Sequence, residues 1–156
     1  MTEHSSVPST TAAYIRKSVA MLQGANAKEL NKIKSDADFI DCIRVGLPRK
    51  ALDKLMNVTG LTTNEITNIL HISDRTLRRY TAEQKLSAEQ SERLIEIAKL
   101  YSRGEEVFGS LDAFKEWMDS SVMALGNRKP KTFLDTSIGI AMLMDELGRI
   151  EHGIFA

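Results

Sequence analysis

The stretch Leu61–Glu83, LTTNEITNILHISDRTLRRYTAE, decides how the rest of the chain is read. Thr62 and Glu65 stand at the spacing where a hydroxyl and a carboxylate each satisfy a free backbone amide at a helix start. Ile66, Ile69 and Leu70 then recur at helical intervals, and His71-Ile72 ends the first short helix. Ser73 can cap a second helix that carries Leu77 and Tyr80 inward. Two short helices joined by a tight turn have the layout of a helix-turn-helix, with Ile66, Ile69, Leu70, Ile72, Leu77 and Tyr80 locking the pair at a fixed angle. That rigidity matters because the second helix must project into a DNA groove about 12 Å wide. Arg75, Arg78 and Arg79 share its outward face, where guanidinium forks can take phosphates or the O6/N7 edge of guanine. Ser73 and Thr76 add hydroxyls near the helix start, where free amides favour a phosphate. Arginines on an isolated helix usually form a solvated face, and Asp74 can pair with Arg78 across one turn. The capped helix, the turn and the inward apolar set together favour DNA reading instead. His71 stands where such turns often hold Gly, and His tolerates positive φ better than bulky residues do.

Working outward, the first dozen residues, rich in Ser and Thr with Pro8, read as a mobile arm. Tyr14, Ile15, Val19 and Leu22 suggest a first helix. Ser35 with Asp38, followed by Phe39, Ile40 and Ile43, suggests a second that ends at Gly46. Pro48 fits the first turn of a third, with Leu52, Leu55 and Met56 on its inner face and Gly60 past its end. Beyond the quoted stretch, Ser87 and Gln90 open a long helix bearing Leu94, Ile97, Ala98 and Tyr101, which Gly104 to Gly109 are expected to break. Ser110 caps a helix with Leu111, Phe114 and Met118 facing in and Trp117 beside them. Gly126 to Lys131 is a loop by composition, and a last helix from about Thr136 shows Ile140, Leu143, Leu147 and Ile150. No segment alternates long enough to be a strand. The expected fold is an all-α multi-helix bundle.

With 156 residues, 42% of them hydrophobic, the chain can build one ordinary domain or two small units sharing a core. Its longest run of Ala, Val, Ile, Leu and Met is only Ile140–Met144, against about 20 residues for a membrane span. The N-terminus lacks a basic region followed by an apolar stretch, so no secretory signal is expected. Cys42 is the single cysteine, which excludes an internal disulfide and any multi-cysteine zinc site. A cytoplasmic protein is expected. Net charge is zero but unevenly placed: residues 1–90 carry 13 basic and 10 acidic groups, residues 91–156 carry 8 and 11. A basic first part and an acidic second part suit different partners.

Signals for catalysis fail. Gly104 and Gly109 have the spacing of a phosphate loop, but Ser110-Leu111 follow where Lys and Ser or Thr are required. His4, His71 and His152 have no second His at ligand spacing. Asp145 and Glu146 diverge by about 100° on a helix and do not converge on one substrate with Asp135. A small nucleotide hydrolase is therefore disfavoured. No catalytic residue, metal or cofactor is expected.

The C-terminal part carries more specific signals in Leu125-Gly126-Asn127-Arg128-Lys129-Pro130, Phe133-Leu134-Asp135-Thr136, and Leu147-Gly148-Arg149-Ile150-Glu151-His152-Gly153-Ile154-Phe155. Ile150, Ile154 and Phe155 close to the chain end need a surface, their own core or a partner's. Arg149, Glu151 and His152 beside them can supply charge-assisted hydrogen bonds. These segments resemble the Xre/MbcA/ParS antitoxin family, in which a Pro-x-x-hydrophobic-Leu-Asp-Thr segment precedes a Gly-Arg-Ile-Glu-x-Gly-hydrophobic-Phe ending. The likeness spans roughly residues 40–156. It implies a type II toxin–antitoxin system whose toxin is a RES-domain protein that consumes NAD⁺. The antitoxin would block that toxin with Arg149, Ile150, Glu151, His152, Ile154 and Phe155. It would also bind the operator of its own operon through Ser73, Arg75, Thr76, Arg78 and Arg79. The implied units are an arm and helix over 1–35, a helix-turn-helix domain over 36–100 and a toxin-binding domain over 101–156. A homodimer and a hetero-oligomer with toxin are expected, because paired half-sites usually call for two subunits. The alternative is a stand-alone helix-turn-helix regulator whose C-terminal unit only oligomerises.

Overall fold

A computed structural model describes residues 9–23 and 30–153. Among them lie eight α-helices: α1 (Ser9–Leu22), α2 (Asp36–Val45), α3 (Arg49–Thr59), α4 (Thr63–Leu70), α5 (Asp74–Arg79), α6 (Ala88–Phe108), α7 (Leu111–Met118) and α8 (Ser137–Glu151). Two 3₁₀ turns, Met123–Leu125 and Pro130–Phe133, connect α7 to α8. The starts obey the local chemistry. Ser87 Oγ accepts from Gln90 N, Ser110 Oγ from Ala113 N and Thr136 Oγ1 from Gly139 N, so each helix begins where a hydroxyl takes up an otherwise free amide. Pro48 sits one residue earlier than expected, as the cap of α3 in extended conformation (φ −73°, ψ 156°).

The long helix α6 is the axis of the bundle. α1, α2, α7 and α8 all pack on it, and α3 touches it from the helix-turn-helix side. Leu94, Ile97, Ala98 and Leu100 of α6 are fully buried, together with Leu22, Leu52, Leu55, Ile66, Phe114, Leu134, Leu143 and Leu147. One core cluster therefore draws on every helix. Where α1 crosses α6 the contact is partly polar: Ser18 Oγ donates to Tyr14 O at 2.8 Å and lies 3.2 Å from Ser102 Oγ. The buried hydroxyls satisfy one another and leave no orphan at that crossing.

Two expectations need correction. Gly104 does not break α6, which continues to Phe108 and ends at Gly109 in left-handed conformation (φ 84°). Gly104 is instead a contact surface, because a Cβ there would lie 2.3 Å from the Phe114 ring. The absent side chain lets Phe114 lie against the helix, with Tyr101 edge-on at 5.0 Å and Trp117 stacked at 5.8 Å. Tyr80 is half-buried but not helical. α5 stops at Arg79, and the Tyr80 hydroxyl accepts from Gln90 Nε2 at 3.3 Å. The division expected after residue 100 falls inside α6, so no linker lies there. Among the described residues no strand forms, only isolated bridges at Pro48–Lys85 and Val122–Arg128.

Candidate functional site

α4 and α5 form the expected pair. Thr62 and Glu65 complete the capping box: Glu65 N–H donates to Thr62 Oγ1 at 3.1 Å, and Thr62 N–H donates to Glu65 Oε1 at 3.0 Å. His71 makes the turn with φ 57° and ψ 41°, the left-handed conformation its position demands. Ser73 Oγ accepts from Thr76 N–H at 3.0 Å and donates to Thr76 Oγ1 at 2.9 Å, so both hydroxyls serve the cap of α5. Leu77 is the buried anchor of α5. Arg75, Arg78 and Arg79 all face solvent. Arg78 pairs with Asp74 at 2.6 Å, but its side chain is 79% exposed. Such a pair is held by little and yields readily to a phosphate.

The segment from Lys129 to Ser137 lies against the first helix and turn of this pair, a role sequence reasoning did not anticipate. Lys131 Nζ lies 2.7 Å from Glu65 and 2.6 Å from Asp119, joining α4 to the end of α7. Asp119 and Glu65 accept its protons and hold its pKa above the ordinary lysine value. Burial disfavours ionised Glu65, but Lys131 and the Thr62 amide and hydroxyl outweigh it and lower the carboxyl below its usual range. His71 Nε2 donates to the Asp135 carbonyl at 2.9 Å, which fixes the proton on that nitrogen. Arg93 and Glu96 of α6 both meet Ser137 Oγ at 3.2 Å. Spacing in the sequence holds no trace of the links to α4, the turn and α6, because those partners lie 41 to 66 positions apart.

At the far end of α8 the expected partner-binding residues divide. Glu151 forms a bidentate pair with Arg103 of α6, both contacts at 2.7 Å. Hydrogen bonds from Arg103 hold the Glu151 carboxyl below its usual pKa. Arg149 turns back one turn to Glu146, at 3.0 and 2.8 Å. Ile150 is half-buried and His152 exposed. Ile154 and Phe155 lie outside the described residues. The outer face of α8 adds a feature the sequence reading missed. Ile138 is 78% exposed and Met142 41% exposed, on the stripe that continues through Asp145 to Arg149. Ile140, Leu143 and Leu147 fill the opposite face, so α8 is apolar on two sides.

Comparison with protein families matches residues 38–99 to the antitoxin Xre-like helix-turn-helix domain and residues 103–153 to the antitoxin Xre/MbcA/ParS C-terminal toxin-binding domain. An antitoxin Xre of Yersinia enterocolitica is 30% identical over 121 residues, 76% of this chain and 81% of that protein. An antitoxin Xre of Photorhabdus laumondii is 32% identical over 111 residues, 70% of this chain and 75% of that one. The chain belongs to the Xre/MbcA/ParS antitoxin family. A Prs ADP-ribosylating antitoxin of Sphingobium is 29% identical over 132 residues, 78% of this chain and 83% of that protein. Among solved structures, a chain of the M. tuberculosis MbcT–MbcA toxin–antitoxin complex aligns with a TM-score of 0.48 at 20% identity, covering 80% of this chain and all of that one. The Xre-type antitoxin thus joins a helix-turn-helix domain to a helical toxin-binding domain. Both matched domains are binding modules rather than catalytic ones. Among the described residues no group of His, Cys, Asp or Glu could hold a metal, and no helix is long and apolar enough to cross a membrane.

Proposed function

We propose that this antitoxin neutralises a RES-domain, NAD⁺-consuming toxin through the outer stripe and end of α8, and represses its own operon as a dimer through α5. The observation that carries the toxin half is Ile138 and Met142, exposed on a helix inside the matched toxin-binding domain. Exposed apolar side chains on one stripe mark a surface that a partner covers. In this reading Ile154 and Phe155 supply the apolar anchors for the NAD⁺ cleft, with Arg149 and His152 at its rim. Arg149 reaches a toxin carboxylate by exchanging the solvent-exposed side of its Glu146 pair. Glu151 holds the end of α8 to Arg103, and so aims the tail as much as it contacts the toxin.

The DNA half rests on three exposed arginines on one face of α5, with Ser73 and Thr76 at its amino end. The unit boundaries respect the same division: an arm and helix over 1–35, DNA binding over 36–100, toxin binding over 101–156. Co-expression with the neighbouring reading frame tests the proposal. A second polypeptide that copurifies, and whose NAD⁺ consumption falls as the antitoxin is titrated in, is the expected result. A lone homo-oligomer that binds DNA without a copurifying toxin would instead make it a stand-alone regulator, with Ile138 and Met142 in a self-contact.

A further inference from the structure

α5 is a helix of six residues, so the carbonyls of its last four have no partner inside it. Its ending is also unusual. The next residue, Tyr80, is extended (φ −71°, ψ 124°) rather than left-handed, so the glycine-type closures that satisfy these carbonyls are not formed. Locally only the Tyr80 N–H closes on it, donating to Leu77 O at 3.1 Å, and the remaining closure comes from another helix. Arg49, the first residue of α3, donates from Nη1 to the carbonyls of Leu77 and Tyr80, both at 3.0 Å. Asp53, one turn along α3, stands 3.5 Å from Arg49 Nε and steadies the guanidinium, which is 22% exposed. The returning segment of chain is pinned to the same place. Arg49 N–H donates to Gln84 O at 2.9 Å, Lys50 N–H to Ala82 O at 3.1 Å, and Leu86 N–H to Leu47 O at 2.7 Å. A cation at the carboxyl end also suits the helix dipole. The two carbonyls held by Arg49 bracket Arg78 and Arg79, so they set the direction in which both side chains leave α5.

We propose that Arg49 is a positioning residue for DNA readout: it closes the open end of α5 and aims Arg78 and Arg79 without itself touching the duplex. The inference rests on the reading that α5 is the helix that enters the groove. It separates two classes of arginine on this domain. Arg75, Arg78 and Arg79 are exposed and meet the ligand, whereas Arg49 is spent on two backbone carbonyls and meets only the protein. Sequence-specific binding, which needs side chains aimed at base edges, should depend on Arg49 far more than binding through charge alone.

The test uses the full chain and two probes: duplex DNA from upstream of its own coding region, and an unrelated duplex of equal length. Arg49→Ala should weaken binding to the upstream duplex at least tenfold, with Arg49→Lys between it and the parent. Both should change binding to the unrelated duplex less than threefold. The log–log salt slope should stay at the parent value, whereas loss of a direct phosphate contact would make it shallower by about 0.9 per phosphate. Folded variants that bind the upstream duplex as well as the parent overturn the proposal, as does a shallower slope. Loss of the folded state in both variants overturns it too, because Arg49 would then hold the domain rather than aim the helix. Arg75→Ala/Arg79→Ala is the control for the underlying reading. If that pair binds the upstream duplex normally, the assignment of α5 fails, whatever Arg49 does.

Discussion

Arg75 and Arg79 are exposed and form no ion pair with any described residue, while Arg78 shares its charge with Asp74. Replacing Arg75 and Arg79 with Ala should therefore weaken operator binding and leave the thermal midpoint nearly unchanged. If about three phosphates are held per subunit, a dimer gives a log–log salt slope near −5 in the parent, and the double variant a visibly shallower one. Gel shifts at several salt concentrations read both. An unchanged affinity in the folded double variant removes α5 from the DNA surface. The tail makes the matching statement about toxin. Truncating an aromatic anchor in an interface costs about 2 kcal/mol or more, roughly thirtyfold in affinity, whereas a rim charge costs less. Phe155→Ala or Ile154→Ala should accordingly weaken inhibition of NAD⁺ loss more than His152→Ala. Equal inhibition by all three variants would place the toxin away from the tail.

The helices carry two further tests. Gly104 lies where a Cβ would meet the Phe114 ring at 2.3 Å, inside a stack of Tyr101, Phe114 and Trp117. Gly104→Ala improves helix propensity but overpacks that contact, so a net loss of about 1–3 kcal/mol is expected in urea melts. A more stable variant would mean that α7 shifts freely to make room. α8 is anchored by Ile140, Leu143 and Leu147, and its last turn is held mainly by Arg103–Glu151 at the surface. Deleting residues 148–156 removes no fully buried side chain among those described. Such a truncation should lose toxin neutralisation while keeping its fold and much of its DNA affinity. Continued protection of cells expressing the toxin would show that Ile138 and Met142 suffice.

Across the whole molecule, Lys131 is a charged tie between the helix-turn-helix and the toxin-binding domain, through Glu65 and Asp119. Burial works against ionised Glu65, yet Lys131 and Thr62 lower its folded pKa below the unfolded value. A lowered carboxyl pKa gives stability that is present above the unfolded value, about 4.3, and is lost as pH falls through the folded one. Between about pH 5 and pH 3 the parent should therefore lose more thermal stability than Glu65→Gln. Parallel curves for the two proteins would mean the tie contributes nothing.

The helix-turn-helix, its caps and its outward arginines were legible in residues 61–83 because they depend on local contacts: Thr62 with Glu65, Ser73 with Thr76, Ile66 with Leu70. Amphipathic spacing of three and four likewise set the all-α bundle and the inner faces of α6 and α8. The family resemblance lay in short motifs near the C-terminus, where residue order alone is diagnostic. The features that chain order left undecided are those that depend on partners far along it. Gly104 read as a breaker because its Phe114 neighbour belongs to another helix. Arg49 gave no signal of its role, because Leu77 and Tyr80 come 28 and 31 residues later. Glu151 read as free to meet a partner, because Arg103 lies 48 residues away. Local hydrogen bonding and periodicity write themselves into neighbouring residues, whereas packing and ion pairing across helices are set only when the bundle closes.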